Sequence, residues 1–174
     1  MRTLGHGTLS AEDFATTARN AGIAVIIDIR RFPGSRRLPH FARDAMATWL
    51  AEHDLGYAWL ASLGGRRTPQ SDSPNVRLRN PQFRAYADYM ASPEFAAGVA
   101  ELRTRMEQQS AAVMCAESVW WRCHRRLLAD HLVLVEAVAV KHVFHDGRIV
   151  DHPVTDGARV SGDHVVYDAP TRSQ

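Results

Sequence analysis

Residues 24–37 read A-V-I-I-D-I-R-R-F-P-G-S-R-R, and the change of character inside this stretch decides the fold. Its first six residues are β-rich and nearly all apolar, the composition of a strand covered on both faces in a parallel sheet. Asp28 is the exception. A carboxylate at the end of a buried run must be paired or hydrogen-bonded, and Arg30, or an arginine from positions 36, 37 or 66, is its natural partner. The strand then runs into a polar segment of arginine, proline, glycine and serine. That is how a strand leaves an open α/β sheet at its carboxyl edge, where ligand crevices form.

The same alternation extends in both directions. Thr3-Leu4 leads into Gly5-His6-Gly7, a first strand ending in a polar turn. Ser10 with Asp13 three residues on looks like a helix cap, and Phe14, Ala15, Ala18 and Ala21 form one helical face ending at Gly22. A second helix is expected near 43–53 and a third strand at Tyr57 to Leu60. From Ala61 to Asn80 there is no periodicity, and a loop of that length in a compact domain is usually functional or disordered. Asn80-Pro81 and Ser92-Pro93 each pair a cap residue with proline at the first helical position. Phe95, Val99, Leu102 and Met106 then recur at helical spacing. Ala111 to Cys115 reads as a fourth strand, His124 to about Val135 as a helix and Val138 to Phe144 as a fifth strand. His145-Asp146-Gly147 reads as a hairpin turn, with a further short strand at 165–167. The expected fold is a three-layer α/β domain, Rossmann-like, with a largely parallel five-stranded sheet flanked by helices and a small C-terminal hairpin. It forms one domain over 1–174, with its core at 1–144 and hairpin and tail at 145–174.

Composition narrows the class. The chain has 174 residues, 45% hydrophobic and 23% charged, which is ordinary for a soluble domain. It has no apolar run long enough to span a membrane, and Met1 to Ser10 lacks the apolar core of a signal peptide. Two cysteines, Cys115 and Cys123, cannot build the disulfide framework of a small secreted domain, so the cytoplasm is the expected location. The net charge of +2 is small, but its distribution is uneven. Residues 28–84 hold ten arginines against five acids, and 103–126 hold five against two, while 127–174 are acidic. Lys141 is the sole lysine, and arginine is the better residue for two-pronged binding of carboxylate or phosphate, although a GC-rich coding bias produces the same preference.

The carboxyl edges of the expected strands gather the chemistry. They release His6, Asp28 and Arg30, then Ser35 and Arg36, then Gly64-Gly65-Arg66, and finally Cys115-Ala116-Glu117 running on to Cys123-His124-Arg125. Arginines beside glycines that expose backbone N–H groups suit an anion, while neither a Walker loop nor G-x-G-x-x-G occurs. Cys115 at a strand end, near a carboxylate, an imidazole and guanidiniums, is a candidate nucleophile. Its bland alternative is a small buried residue capping a strand, and for Cys123 simple packing is the stronger reading. His124 suits acid/base work or a phosphate contact. Asp28 is either a structural ion pair or a catalytic or ribose-binding carboxylate. Six residues separate Cys115 from Arg122, one more than the phosphate loops of rhodaneses and cysteine phosphatases allow. Cys115-Ala116-Glu117 imitates half of a zinc deaminase motif whose C-x-x-C half is missing. His6, Cys115, Cys123 and His124 are acceptable zinc ligand types, but adjacent residues 123 and 124 seldom both reach one ion, so no metal is expected.

T-L-G-H-G-T at 3–8, I-D-I-R-R-F-P-G-S-R-R at 27–37, L-G-G-R-R at 63–67, M-C-A-E at 114–117 and C-H-R-R-L-L-A-D-H-L at 123–132 resemble, in order and over nearly the whole chain, the signature blocks of the family labelled domain of unknown function 488. The resemblance implies a compact α/β domain with a parallel sheet and supplies no established activity. Its motif residues fall at His6, Asp28, Arg30, Ser35, Arg36, Gly64, Gly65, Arg66, Cys115, Glu117, Cys123, His124 and Arg125. The sequence departs from such relatives at Glu136-Ala137-Val138, where they turn with glycine.

The leading expectation is an enzyme acting on a phosphate-bearing ligand, a nucleotide or a nucleic acid. Cys115, Glu117, His124 and Asp28 are its catalytic candidates. His6, Arg30, Ser35, Arg36, Gly64, Gly65, Arg66, Cys123 and Arg125 are its ligand-binding candidates. The alternative is a non-catalytic module that binds nucleic acid or protein through the arginine-rich loop at 61–84, and a redox role for the two cysteines ranks below both. The sequence names no cofactor and no oligomeric state.

Overall fold

The computed structural model describes residues 1–168, so the end of the expected tail, 169–174, lies outside the described residues. Five strands run parallel: β1 (Arg2–Gly5), β2 (Val25–Asp28), β3 (Gly56–Trp59), β4 (Ala111–Cys115) and β5 (Lys141–Val143). A sixth, β6 (Ile149–Asp151), pairs antiparallel with β5, and the sheet order is β3-β2-β4-β1-β5-β6. This is the expected parallel sheet extended by one edge strand, because the turn at 145–147 folds the chain straight back, with Gly147 at φ +84°.

Strand residues alternate between two cores, as a sheet covered on both faces requires. Val25, Ile27, Ala111 and Val113 pack against Tyr86 of α3 (Pro81–Tyr89), Phe95, Val99 and Leu102 of α4 (Pro93–Gln108), and Leu127, Leu128 and Leu132 of α5 (Arg125–Leu134). Leu4, Ile26, Ala112, Met114 and Val143 face Phe14, Ala15 and Ala18 of α1 (Ala11–Asn20) and Met46, Trp49 and Leu50 of α2 (Arg43–Glu52). The helix starts are those the sequence announces. Ser10 accepts from the Asp13 amide at 3.0 Å, Asn80 from Gln82 at 2.8 Å and Ser92 from Phe95 at 3.2 Å. Gly22, at φ +65°, ends α1 in a left-handed turn, with the Ile23 amide donating back to the Ala18 carbonyl.

Two expectations shift. The fifth strand, expected over 138–144, is shorter, because the chain after α5 turns at Ala137 (φ +55°) and the Val138 amide returns to the Leu132 carbonyl at 2.8 Å. Residues 165–167 do form a strand, within β8 (His164–Tyr167), but it pairs with β7 (Ala158–Ser161) as a separate hairpin. That hairpin holds the long loop after β3. Asn75 donates to Asp88 at 2.7 Å and accepts from the Tyr167 amide at 2.9 Å, while the Arg77 amide donates to the Tyr167 carbonyl. Among the described residues no helix is long and apolar enough to cross a membrane.

A non-glycine residue in the left-handed region costs roughly 1 kcal/mol, and the lower chain entropy of alanine in the unfolded state recovers part of it. Ala137→Gly is therefore expected to raise the denaturant midpoint slightly or leave it unchanged. Gly22→Ala should lower it, through a loss of about 1 kcal/mol of unfolding free energy. Equilibrium unfolding of the two variants side by side checks the pair.

Candidate functional site

Parallel strands β1 to β4 all end on one edge, and the register sets their ends level: Gly5 beside Cys115, and Asp28 beside both Met114 and Trp59. The pairing of β1 with β4 persists into the turns, since the His6 amide donates to the Cys115 carbonyl at 3.0 Å and the Gly7 amide to Ala116 at 2.9 Å. Between these ends and the loops that follow lies a cleft of about 680 Å³, in the size range of small-molecule sites. Of the sequence candidates, His6, Arg30, Ser35, Gly65, Arg66, Cys115, Glu117, Cys123 and His124 line it.

Asp28 is fully buried and does not line the cleft. Its oxygens accept from Arg30 Nε at 2.9 Å, Arg30 Nη2 at 2.6 Å, the Arg30 amide at 2.9 Å and the Tyr57 hydroxyl at 2.8 Å. This satisfies the carboxylate in place and fits its structural reading. Burial, followed by the Asp28 charge, pushes the Tyr57 phenol above its ordinary range. Arg30 Nη1 then reaches His6 Nε2 at 3.3 Å. Burial and Arg30 lower the His6 pKa to about 4, so the ring is neutral at pH 7, with Nδ1 donating to the Gly7 carbonyl at 2.9 Å and its face stacked on Phe41.

At the other wall the two thiols meet an imidazole. His124 Nδ1 lies 3.9 Å from Cys115 Sγ and 3.7 Å from Cys123 Sγ, and all three atoms are within 4.8 Å of one another. His124 can approach because position 65 is glycine, where a Cβ would lie 2.9 Å from Nδ1. Cys123 Sγ also accepts from the backbone amide and Nε of Arg125 at 3.5 and 3.4 Å. Burial opposes an anion there, but the hydrogen bond from Cys115 and the neighbouring His124 and Arg125 outweigh it and hold the Cys123 thiol well below its ordinary range. Hydrogen bonding to Cys123, with burial, pushes Cys115 up. Of the two thiols, Cys123 therefore gives up its proton the more readily.

Arg125 is itself almost wholly buried. It donates to the Glu117 carbonyl and, at 3.4 Å, to Thr3 Oγ1. Gly5 makes room for it, since a Cβ at that position would lie 1.9 Å from the Glu117 oxygen and 2.6 Å from the guanidinium. A hydrogen-bonded line continues inward. Thr3 Oγ1 meets His142 Nδ1 at 2.7 Å, His142 Nε2 meets His152 Nδ1 at 2.9 Å, and His152 Nε2 meets Asp130 Oδ1 at 2.9 Å. Assigning protons so that no donor in the line is unpaired makes every bond point from Arg125 to Asp130. Asp130 also accepts from the Thr155 amide at 2.8 Å and the Tyr167 hydroxyl at 2.9 Å. Burial and the adjacent His152 lower the His142 pKa to about 3, and Trp120 stacks flat on the ring.

Cys115, Cys123 and His124 are also the group that could hold a metal. The sulfur–nitrogen separations are close to the about 3.6 Å expected between two ligands of a tetrahedral zinc ion. Adjacent residues 123 and 124 do come together here, contrary to expectation, while His6 stands outside the group. The surroundings oppose a divalent cation: Arg30, Arg31, Arg66 and Arg122 line the same cleft and Arg125 already occupies the Cys123 sulfur.

Some candidates stand apart from the cleft. Gly64 packs on Arg31, where a Cβ would lie 2.8 Å from the backbone nitrogen, and Arg36 is exposed beyond the lining. Ser35 does line the cleft, but its hydroxyl accepts from the Leu38 amide at 2.9 Å and so shapes the turn. Arg66, at φ +59°, is held by Arg31 donating to its carbonyl at 2.8 Å. Sequence reasoning missed Arg31, Phe32 and Arg122 in the lining, and behind it Tyr57, Thr3, His142, His152 and Asp130. Two of these carried a signal: Asp130 lies within the last quoted block, and His142 interrupts an apolar strand as Asp28 does.

A family model described as "Domain of unknown function DUF488" matches residues 10–132, a span that takes in every cleft-lining candidate except His6. No curated protein and no solved structure matches the chain.

His6 and His142 resist protonation in the fold but titrate near 6.5 once unfolded. Between about pH 6.5 and pH 4 the unfolded state therefore binds more protons, and stability falls as pH falls. Each histidine should contribute a loss on the order of 1–2 kcal/mol by pH 5. Urea unfolding across this range measures the slope, and His6→Gln should flatten it.

Proposed function

The chain belongs to the domain of unknown function DUF488 family, and we propose that it is an enzyme that binds a phosphate-bearing ligand, a nucleotide or nucleic acid, and acts on it through a cysteine thiol. The observation that carries this reading is the meeting, in one cleft, of guanidiniums that have no carboxylate partner among the described residues with two thiols and an imidazole whose polar atoms lie within 4.8 Å of one another. Guanidiniums are suited to grip a phosphate, and a thiol that hands its proton to a neighbouring base as it attacks becomes the nucleophilic thiolate. Arg66 and Arg122 bind the anion. Arg30 is committed to Asp28 and adds fixed positive potential.

Cys115, partly open to the cleft, is the attacking residue, and the buried Cys123 is its base. As Cys115 Sγ bonds to an electrophilic atom of the ligand, its proton passes to the Cys123 sulfur. The displaced group leaves with the electron pair of its broken bond. Glu117, exposed at the cleft, or His124 carries the proton that this group takes up. Water then attacks the bound group and gives its proton to the spent Glu117 or His124. As the bond to sulfur breaks with its electron pair on Cys115, Cys123 returns the proton it had taken, so both thiols end as they began. Two reduced thiols at the working surface suit a reducing compartment, and the cytoplasm is the proposed location.

Incubation with nucleotides and short oligonucleotides, followed by mass spectrometry of products and of the protein, tests this reading. Cys115→Ser should fold normally and lose turnover by at least about 100-fold, with no adduct on the chain. Arg66→Ala should raise KM with little change in kcat. Turnover that survives the separate removal of Cys115, Glu117 and His124 would reject the assignment. Ligand binding with steep salt dependence and no product would instead mark a non-catalytic module.

A further inference from the structure

The carboxyl edge carries more free positive charge than one phosphate group calls for. Arg103, Arg105, Arg148 and Arg159, on the flanks, each pair with a carboxylate. Among the described residues, the exposed Arg31, Arg36, Arg37, Arg66 and Arg122 make no ion pair. Arg36 and Arg37 are exposed and follow the lining residue Ser35 in the chain without lining the cleft themselves. Positive charge is thus not confined to the pocket lining, which suits a polyanion better than a small molecule.

Aromatic rings interleave with this charge. Phe32 is 65% exposed and lines the cleft, with the Arg31 guanidinium 5.6 Å from its ring centroid. Trp121, next to the lining residue Arg122 in the chain, does not itself line the cleft but is 45% exposed. Large rings left open to water next to unpaired guanidiniums form stacking platforms for bases along a charged groove. The thiols add a constraint, because Cys123 is only 4% exposed and a base must leave its duplex partner to be worked on at a recessed group.

We propose that the ligand of this cleft is single-stranded nucleic acid, with bases stacked on Phe32 and Trp121, the backbone tracked by Arg31, Arg36, Arg37, Arg66 and Arg122, and one nucleotide entering toward Cys115. The proposal rests on the reading of the cleft as a phosphate site and narrows it from any phosphate-bearing ligand to a strand.

Fluorescence polarisation of the full chain with labelled single-stranded 12-mers of DNA and RNA, and with the matching duplex, at about 50 and about 200 mM salt, provides the test. The single strand should bind at least about tenfold more tightly than the duplex, since only unpaired bases offer free faces for stacking. Its affinity should fall with salt by a slope of about 0.7 per neutralised phosphate. Phe32→Ala should weaken binding about five- to tenfold and leave the salt slope unchanged, whereas Arg36→Ala with Arg37→Ala should reduce that slope. Circular dichroism confirms that the variants fold. Equal binding of duplex and strand, or an unaltered affinity in Phe32→Ala, overturns the proposal. So does a mononucleotide that competes as well as the 12-mer, although that result leaves the proposed enzyme intact. Tight strand binding with no product in any assay supports this inference while removing the catalytic reading.

Discussion

A buried guanidinium organises this molecule. Arg125 enters the interior at the first turn of α5 and is held from several directions, by the Glu117 carbonyl, Thr3 Oγ1 and the Cys123 sulfur. A charge in that position is costly unless surrounded by acceptors. Satisfying it joins the exits of β1 and β4 to the start of α5. The thiols, the imidazole beside them and the turn at Gly5-His6-Gly7 take their places from this one group. The line through Thr3, His142 and His152 to Asp130 carries its influence across the sheet to β6 and the C-terminal hairpin, where Tyr167 closes the network.

The two buried ion systems play opposite parts. Arg30 is neutralised by Asp28 at close range and sealed by Tyr57, so it braces the loop after β2 while keeping one N–H toward His6. Arg125 faces no carboxylate directly. The Cys123 sulfur on one side and the line to Asp130 on the other are what it meets. The hydrogen bond from Cys115 and the neighbouring His124, followed by Arg125 itself, draw the Cys123 thiol down, while Cys115 is pushed up. The same excess of positive charge opposes a metal, although three ligand-type atoms stand close enough to hold one.

Much of the fold was legible because it rests on local rules. The apolar run before Asp28, the caps at Ser10, Asn80 and Ser92 with their prolines, and the helical spacing from Phe95 each depend on a few neighbouring residues, and each element formed where they indicate. The site was legible in outline, since strands of one direction end on one edge and the unusual residues followed strands. Its internal roles were not. Cys123 read as packing because nothing in its immediate neighbourhood marks it as the partner of Cys115. Tyr57, His142 and Asp130 are bound to the site only by contacts between residues far apart in the chain.

The amino-acid sequence by itself determined the parallel sheet, the helix boundaries and the convergence of arginine, cysteine and histidine on the carboxyl edge, because hydrophobic periodicity and capping act over a turn or a strand. Tertiary structure alone decided which thiol loses its proton the more readily, which arginine is spent on Asp28 and which have no carboxylate partner among the described residues, and whether Phe32 faces water. Those outcomes depend on burial and on distances between segments brought together only when the two cores close around the sheet, and a charge or a proton is placed by its surroundings in space rather than by its neighbours in the chain.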